Sequence, residues 1–170
     1  MSELVAQHVR AAAARPDVRG AVARVYTDLQ REIDARRPIC SASGKCCRFE
    51  EYGHRLYVST LELAAFVAQV PTVTRDVPVQ TRSLPVLTSP GCPFQVDKLC
   101  SVHAIRPFGC RMFFCDATAT QWQNERYEHF HAELKRLHEL LDVPYFYVEW
   151  RQALAALGLS GTGAAGLSRT

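Results

Sequence analysis

The seven cysteines of this 170-residue chain fall in two short windows, and no other feature of the sequence constrains its fold as strongly. The windows are about 45 residues apart. They hold Cys40, Cys46 and Cys47 in the first, and Cys92, Cys100, Cys110 and Cys115 in the second. Free cysteine is often buried like a small apolar residue, but random use in a core does not produce such clusters. The grouping predicts that two distant stretches meet around a common ligand.

Length and composition narrow the roles that the cysteines can have. A chain of this length buries a core without cross-links, and its apolar and charged fractions of 48% and 22% are ordinary for a globular protein. No stretch approaches the roughly 20 apolar residues of a membrane helix, and the first residues do not resemble a signal peptide. We therefore predict a protein of the reducing cytoplasm without a membrane partner, whose cysteines remain thiols.

The charge of the chain points to no particular macromolecular partner. A net charge of +3 is too small to imply nucleic-acid binding, and no compact basic stripe is present in the sequence. The sequence thus argues against a nucleic-acid partner and identifies no protein partner.

The chain divides into four predicted segments. These are an N-terminal helical segment 1–37, a cysteine-bearing core 38–117, C-terminal helices 118–158 and a disordered, glycine-rich tail 159–170. The predicted fold class is a mainly α-helical single domain with a small irregular core of strands and loops that binds metal.

Helical periodicity is clear on both sides of the cysteines. Apolar residues recur every three or four positions over residues 17–36, which predicts one helix there. Residues 59–62 read as a capping box that begins a second helix. The same periodicity predicts helices from residue 118 onward and over residues 145–157.

The cysteine windows lie in turn-rich sequence. Alternation over residues 48–58 with Gly53 in the middle predicts a hairpin, and a short strand is predicted over residues 84–87. Asp97 and Lys98 predict a tight turn between two short arms that carry Cys92 and Cys100.

Local chemistry favours metal ligation by these thiols. Glycine and proline residues beside the cysteines create turns that let side chains converge on an ion. Positive side chains favour the thiolate, which is the ligating form. The positive neighbours are Lys45, Arg48, Arg106 and Arg111.

The number of thiols exceeds the need of one tetrahedral site. One zinc ion or one four-iron cluster takes four cysteines and leaves three over. His103 would complete eight ligands for two zinc sites, or a dinuclear site could share thiolates. Adjacent Cys46 and Cys47 point to different sides of a helix or strand, so one packs in the core or the pair reaches two metal atoms. Cys110 and Cys115 both ligate only if their segment is not a regular helix.

These residues resemble the CxxCxxCC family of zinc- or iron-chelating proteins, also called the YkgJ-type cysteine-cluster family. The family's opening motif has cysteines at positions one, four, seven and eight, which are Cys40, Ser43, Cys46 and Cys47 here. Its second motif corresponds to Cys92, Cys100, Arg106-Pro107 and Cys110-Arg111.

The resemblance covers about residues 40–115 and implies a bound zinc or iron, with a 4Fe-4S cluster as one form of the iron. It does not define a biochemical role. Ser43 departs from the motif, and a hydroxyl ligates zinc or iron far less readily than a thiolate. The family commonly has an aromatic residue at the position of His103, which makes this histidine a further candidate ligand.

Three functions are compatible with the sequence. The leading prediction is a zinc- or iron-binding protein, with all seven cysteines as candidate ligands and a centre that is structural or redox-active. The alternative is a metal-dependent oxidoreductase or transferase, so the sequence leaves enzymatic activity undecided. A zinc-finger-like adaptor is the third, and the low net charge argues against it.

Overall fold

The structure, a computed structural model, describes residues 3–70 and 91–159 as a mostly helical single domain. The helices of this part are α1 (Glu3–Ala13), α2 (Pro16–Arg36), α3 (Thr60–Val67), α4 (Phe108–Arg111), α5 (Thr120–Leu140) and α6 (Trp150–Ala156). Its strands are β1 (Tyr57–Ser59), β2 (Gln95–Val96), β3 (Leu99–Cys100) and β4 (Tyr147–Glu149). The prediction of a mainly α-helical single domain with small strands and irregular loops is confirmed. The strand predicted over residues 84–87 lies outside the described residues, as does the predicted tail beyond residue 159.

Helix α2 forms where the apolar periodicity predicts it. The residues that recur every three or four positions are buried, and they are Val18, Val22, Val25, Leu29 and Ile33. Pro16 stands in the first turn, where its missing N–H costs nothing. The helix ends at Arg37 in the left-handed conformation, whose N–H donates to the Ile33 carbonyl at 2.7 Å.

The capping box predicted for α3 is confirmed. The Ser59 hydroxyl accepts from the Glu62 N–H at 3.4 Å, and the Glu62 carboxylate accepts from the Ser59 N–H at 2.8 Å. Both residues are buried, so these bonds satisfy backbone groups that water cannot reach.

The long helices pack against one another through two apolar clusters. Helix α3 contacts α1 and α2, with Leu61 and Ala64 against Val18 and Val22. Helix α5 contacts α2 through the second cluster, which also takes in two residues beside Cys110. The second cluster consists of Val25, Leu29, Ile33, Phe108, Met112, Phe130 and Leu134.

The hairpin predicted over residues 48–58 is wrong. Residues 49–53 form turns, and β1 pairs antiparallel with β4 instead, with Val58 opposite Val148. The alternation correctly marks an extended segment at Tyr57–Ser59, but the partner strand is distant in sequence and local alternation does not reveal it.

The helix predicted over residues 145–157 begins only at Trp150. Its first part is β4, because the aromatic and β-branched run before Trp150 favours a strand when a partner is present. The side chain of Glu149 accepts from the Gln152 N–H at 2.9 Å and begins α6 there. The helix ends before Gly158, which has a positive φ of 76°.

None of the helices in the described residues is long and apolar enough to cross a membrane.

Candidate metal centre

The first cysteine window ends in a single 3₁₀ turn, Lys45–Cys47. Gly44 precedes it with a positive φ of 72°, which favours glycine. A Cβ at Gly44 would lie 2.6 Å from the Lys98 carbonyl oxygen and would also clash with the Gln95 side chain. The turn therefore fits closely against the loop that carries the second window.

The second window begins in direct contact with the first. The Cys92 N–H donates to the Cys47 carbonyl at 2.7 Å, and a Cβ at Gly91 would lie 2.6 Å from the same oxygen. Strands β2 and β3 then bring the chain back through a turn, with Asp97 and Lys98 at positive φ values of 49° and 67°. This is the tight turn predicted at these two residues, and it places Cys100 beside Gln95 in the register.

Cys110 enters from helix α4, whose position is fixed by the helical part of the chain. Phe108 and Met112 are buried between α2 and α5. The Phe108 N–H donates to the buried Glu62 carboxylate at 3.1 Å, so the residue that caps α3 also holds the start of α4. Cys110 thus lies on a turn anchored at both ends.

Five of the seven thiols meet in one buried region. Cys47 and Cys92 belong to the apolar cluster around Trp150, and Cys46, Cys100 and Cys110 pack against that cluster. Phe66 and Phe94 shield it, with ring centroids 5.3 Å apart. The expected convergence of two distant stretches is therefore present among the described residues.

Interactions among the neighbouring sulfurs shift their pKa values. The Cys47 thiol interacts with the sulfurs of Cys100, Cys46 and Cys92, and these contacts raise its own pKa. The bond with Cys47 lowers the pKa of Cys46 to about 6 and that of Cys100 to about 7. The pKa of Cys92 is lowered by its bond with Cys47 as well. Near neutral pH the cluster therefore favours thiolates around one protonated thiol.

One half-buried arginine faces these sulfurs. Burial lowers the pKa of Arg106, while its charge interacts with Cys110, Cys100 and Cys46. Burial raises the pKa of Cys110 well above its ordinary value, so this thiol keeps its proton. Arg106 is one of the four positive neighbours identified in the sequence, and it is placed to balance negative charge on the cluster.

His103 interacts with this arginine. An Arg106 guanidinium nitrogen lies 2.8 Å from the imidazole Nδ1 and donates to it. The same nitrogen donates to the His103 carbonyl at 2.7 Å. Burial and the arginines Arg106 and Arg111 lower the pKa of His103. The contacts of His103 therefore hold the guanidinium in place.

Cys40 and Cys115 are exposed, unlike the other five. The Cys115 sulfur lies 3.7 Å from the Ser43 hydroxyl. The Ile39 N–H donates to the Asp116 carboxylate at 3.1 Å, which ties together the two segments that carry these thiols. Cys115 follows α4 after the helix has ended at Arg111, as expected if its segment is not a regular helix.

The cysteine sulfurs are chemically suited to bind a soft metal ion. Thiolates are the preferred ligands of zinc and of iron–sulfur clusters. Within residues 3–70 and 91–159, no three Cys, His, Asp or Glu side chains are arranged as a group that could hold an ion. Binding of an ion by these thiols therefore requires their side chains to move from the positions that they have here.

Trp150 is a neighbour of the cluster that sequence reasoning did not assign to it. Its indole N–H donates to the Cys92 sulfur at 3.5 Å, and the residue is almost fully buried. The aromatic residues around Trp150 could cover a metal site, but the sequence favours a plain helical core as their role. N–H···S bonds of this kind stabilise a thiolate and tune a bound metal.

Comparison with family models, with curated proteins and with solved structures finds no match for this chain. We therefore infer function from the cysteines and their contacts.

Proposed function

We propose that the protein binds zinc or iron through cysteine thiolates in a reducing, cytoplasmic setting. The observation that carries the proposal is the packing of five cysteines in or against one buried apolar cluster, namely Cys46, Cys47, Cys92, Cys100 and Cys110. These sulfurs come from segments about 45 residues apart and meet beside a buried tryptophan. Disulfide formation is rare in the cytoplasm, which leaves metal binding as the simplest use of such a cluster.

The seven cysteines have different roles in this proposal. Cys46, Cys47, Cys92 and Cys100 form the core of the ligand set, and Cys110 lies next to them. When bound, zinc would supply a structural cross-link and an iron–sulfur cluster would supply electron transfer. Cys40 and Cys115 are outer candidates because both are exposed.

The surrounding residues would control charge and water. Arg106 offsets the negative charge of several thiolates, and the Trp150 N–H donates to the Cys92 sulfur at 3.5 Å. Phe66, Phe94 and Trp150 pack edge to face or tilted against one another and keep water from one side of the site. This exclusion strengthens electrostatic interactions among the sulfurs.

The test is purification under anaerobic conditions followed by metal analysis and an absorption spectrum. A brown protein with matched iron and sulfide indicates a cluster, and a colourless one with stoichiometric zinc indicates a structural site. We expect Cys100→Ser to remove most of the metal, whereas Cys115→Ser retains it because Cys115 is exposed. A metal-free wild-type protein, or equal retention of metal in both variants, contradicts the proposal.

An enzymatic role is the second candidate, and one observation favours it. A surface cleft of about 290 Å³ is lined by Cys46 and Cys110, so a small molecule can bind next to two residues of the cluster. A purely structural site is usually closed to such molecules, whereas a catalytic metal keeps an open position.

A further inference from the structure

The cleft beside the cysteines has walls of aromatic rings. His54 stacks on Phe113 with ring centroids 5.2 Å apart, and Tyr57 stacks on Tyr147 with centroids 5.6 Å apart. All four residues line the cleft. Phe113, Tyr57 and Tyr147 are 36%, 43% and 39% exposed, which is high for aromatic side chains. These faces suit a flat ring that stacks between or against them.

Apart from the two cysteines, the polar side chains of the cleft are mostly hydrogen-bond donors. Arg55 lines it and makes no hydrogen bond or ion pair with any other described residue. The Gln123 carbonyl oxygen accepts from the Phe114 N–H at 3.3 Å, which leaves the amide NH₂ of Gln123 for another partner. None of the aspartates and glutamates within residues 3–70 and 91–159 lines the cleft.

A tyrosine pair adds one more donor. The hydroxyls of Tyr127 and Tyr147 lie 3.0 Å apart, and only one of the two protons is used between them. Burial raises the pKa of Tyr147, which keeps it a neutral phenol. The second hydroxyl proton is therefore available to an acceptor.

We infer that this cleft is a binding site for a planar aromatic carboxylate. The stacked rings match the plane of the ligand, and Arg55, Gln123 and one tyrosine hydroxyl match its carboxylate oxygens. The volume of about 290 Å³ is at the lower end for small-molecule sites and suits one or two fused rings. The inference goes beyond the proposed metal binding and does not depend on it, although such a ligand would sit beside Cys46 and Cys110.

The test uses 2-naphthoate as the probe and the full chain, with affinity measured by isothermal titration calorimetry. We expect saturable binding of one molecule per chain. Arg55→Gln should weaken it about tenfold, because a charge-assisted hydrogen bond is lost at a partly exposed site. The matched control is Arg24→Gln, which removes an arginine from α2 outside the cleft and should leave the affinity unchanged.

Two analogues of 2-naphthoate test separately how much its charge and its ring stacking contribute to binding. Neutral 2-naphthamide should bind wild type and Arg55→Gln equally, and the saturated decahydro-2-naphthoate should bind at least about tenfold more weakly than 2-naphthoate. Absence of naphthoate binding overturns the inference, and so does equal affinity for the saturated analogue or for Arg55→Gln. Metal content measured on the same samples keeps the two proposals separate, because loss of one result leaves the other standing.

Discussion

The helices α1, α2, α3 and α5 and the cysteine region, residues 40–56 and 91–116, are stabilised in different ways. The helices have regular backbone hydrogen bonds and buried apolar residues, and α3 also has a capping box. Within residues 40–56 of the cysteine region, the one regular element is the 3₁₀ turn Lys45–Cys47. Its backbone is fixed by a few long-range bonds, such as the one from Cys92 to Cys47.

The helices fold through buried apolar side chains, whereas the cysteine region contains thiols that a ligand would bring together. The helices bury Leu29, Leu61 and Leu134 completely and need no ligand to do so. In the cysteine region five thiols pack in or against one cluster, and thiolates near one another repel unless a proton or a metal lies between them. We therefore expect the helices to tolerate loss of the metal and the cysteine region not to.

Metal removal should produce the largest difference between the two regions. With free metal at about a thousand times its dissociation constant, binding adds about 4 kcal/mol to the free energy of unfolding, or about 10 °C in Tm. Hydrogen exchange should accelerate at Cys47 and Cys92, whose N–H groups bond within the region, but not in α2. Protein treated with metal-saturated chelator is the control. Uniform acceleration across both regions would contradict the comparison.

Much of the helical part could be predicted from sequence because its signals are local. The apolar stripe of α2 and the capping box of Ser59 and Glu62 each lie within a few turns of chain. The pairing of β1 with β4 could not be predicted, since the partner of Val58 lies about 90 residues away. Short runs such as residues 145–149 satisfy helix and strand patterns alike, and the tertiary contact decides between them.

For the candidate site, the sequence predicted that the two cysteine windows meet, but not which cysteines pack together. All seven thiols are candidate ligands in the sequence, with Cys40 and Cys115 the two not needed to complete four; these two are exposed, and the other five pack together. The contacts of Trp150 with Cys92 and of Glu62 with the start of α4 join elements distant in sequence. Such contacts depend on the completed fold, which a local pattern does not encode.

Truncation of a helix core residue should lower the stability of the fold without changing its metal content. Leu29 is completely buried between α2 and α5, so Leu29→Ala should lower the free energy of unfolding by about 3 kcal/mol. Metal content of the folded fraction should stay the same, because the thiols remain in place. Leu140→Ala is the matched control, since Leu140 is 69% exposed and its loss should cost less than about 0.5 kcal/mol. Chemical denaturation and metal analysis measure the two effects.

Glu62 links the two regions, so its replacement should affect both. The two carboxylate oxygens of Glu62 accept from the N–H groups of Ser59 and Phe108, and Glu62→Gln leaves only one oxygen to accept. The substitution should lower the free energy of unfolding by about 2 kcal/mol. Because Phe108 begins α4, the reaction of Cys110 with a maleimide should also become faster. Glu139→Gln on the surface of α5 is the control and should change neither quantity. A stability loss without any change at Cys110 would mean that Glu62 acts on α3 alone.

The smallest effect should come from a titration within the helical part. Burial lowers the pKa of His138, whose neutral ring donates from Nδ1 to the Val143 carbonyl at 3.0 Å. Its Nε2 is buried without a partner among the described residues, so a second proton there would be unsatisfied. Because the unfolded chain binds that proton more readily, stability should fall as pH drops below about 6.5, by at most about 1.4 kcal/mol per pH unit. Denaturation of wild type and His138→Gln between pH 7 and 5 measures the difference, with metal held constant. If the two pH profiles are parallel, the acid sensitivity belongs to the cysteine region, and the helices are the more pH-tolerant part of the molecule.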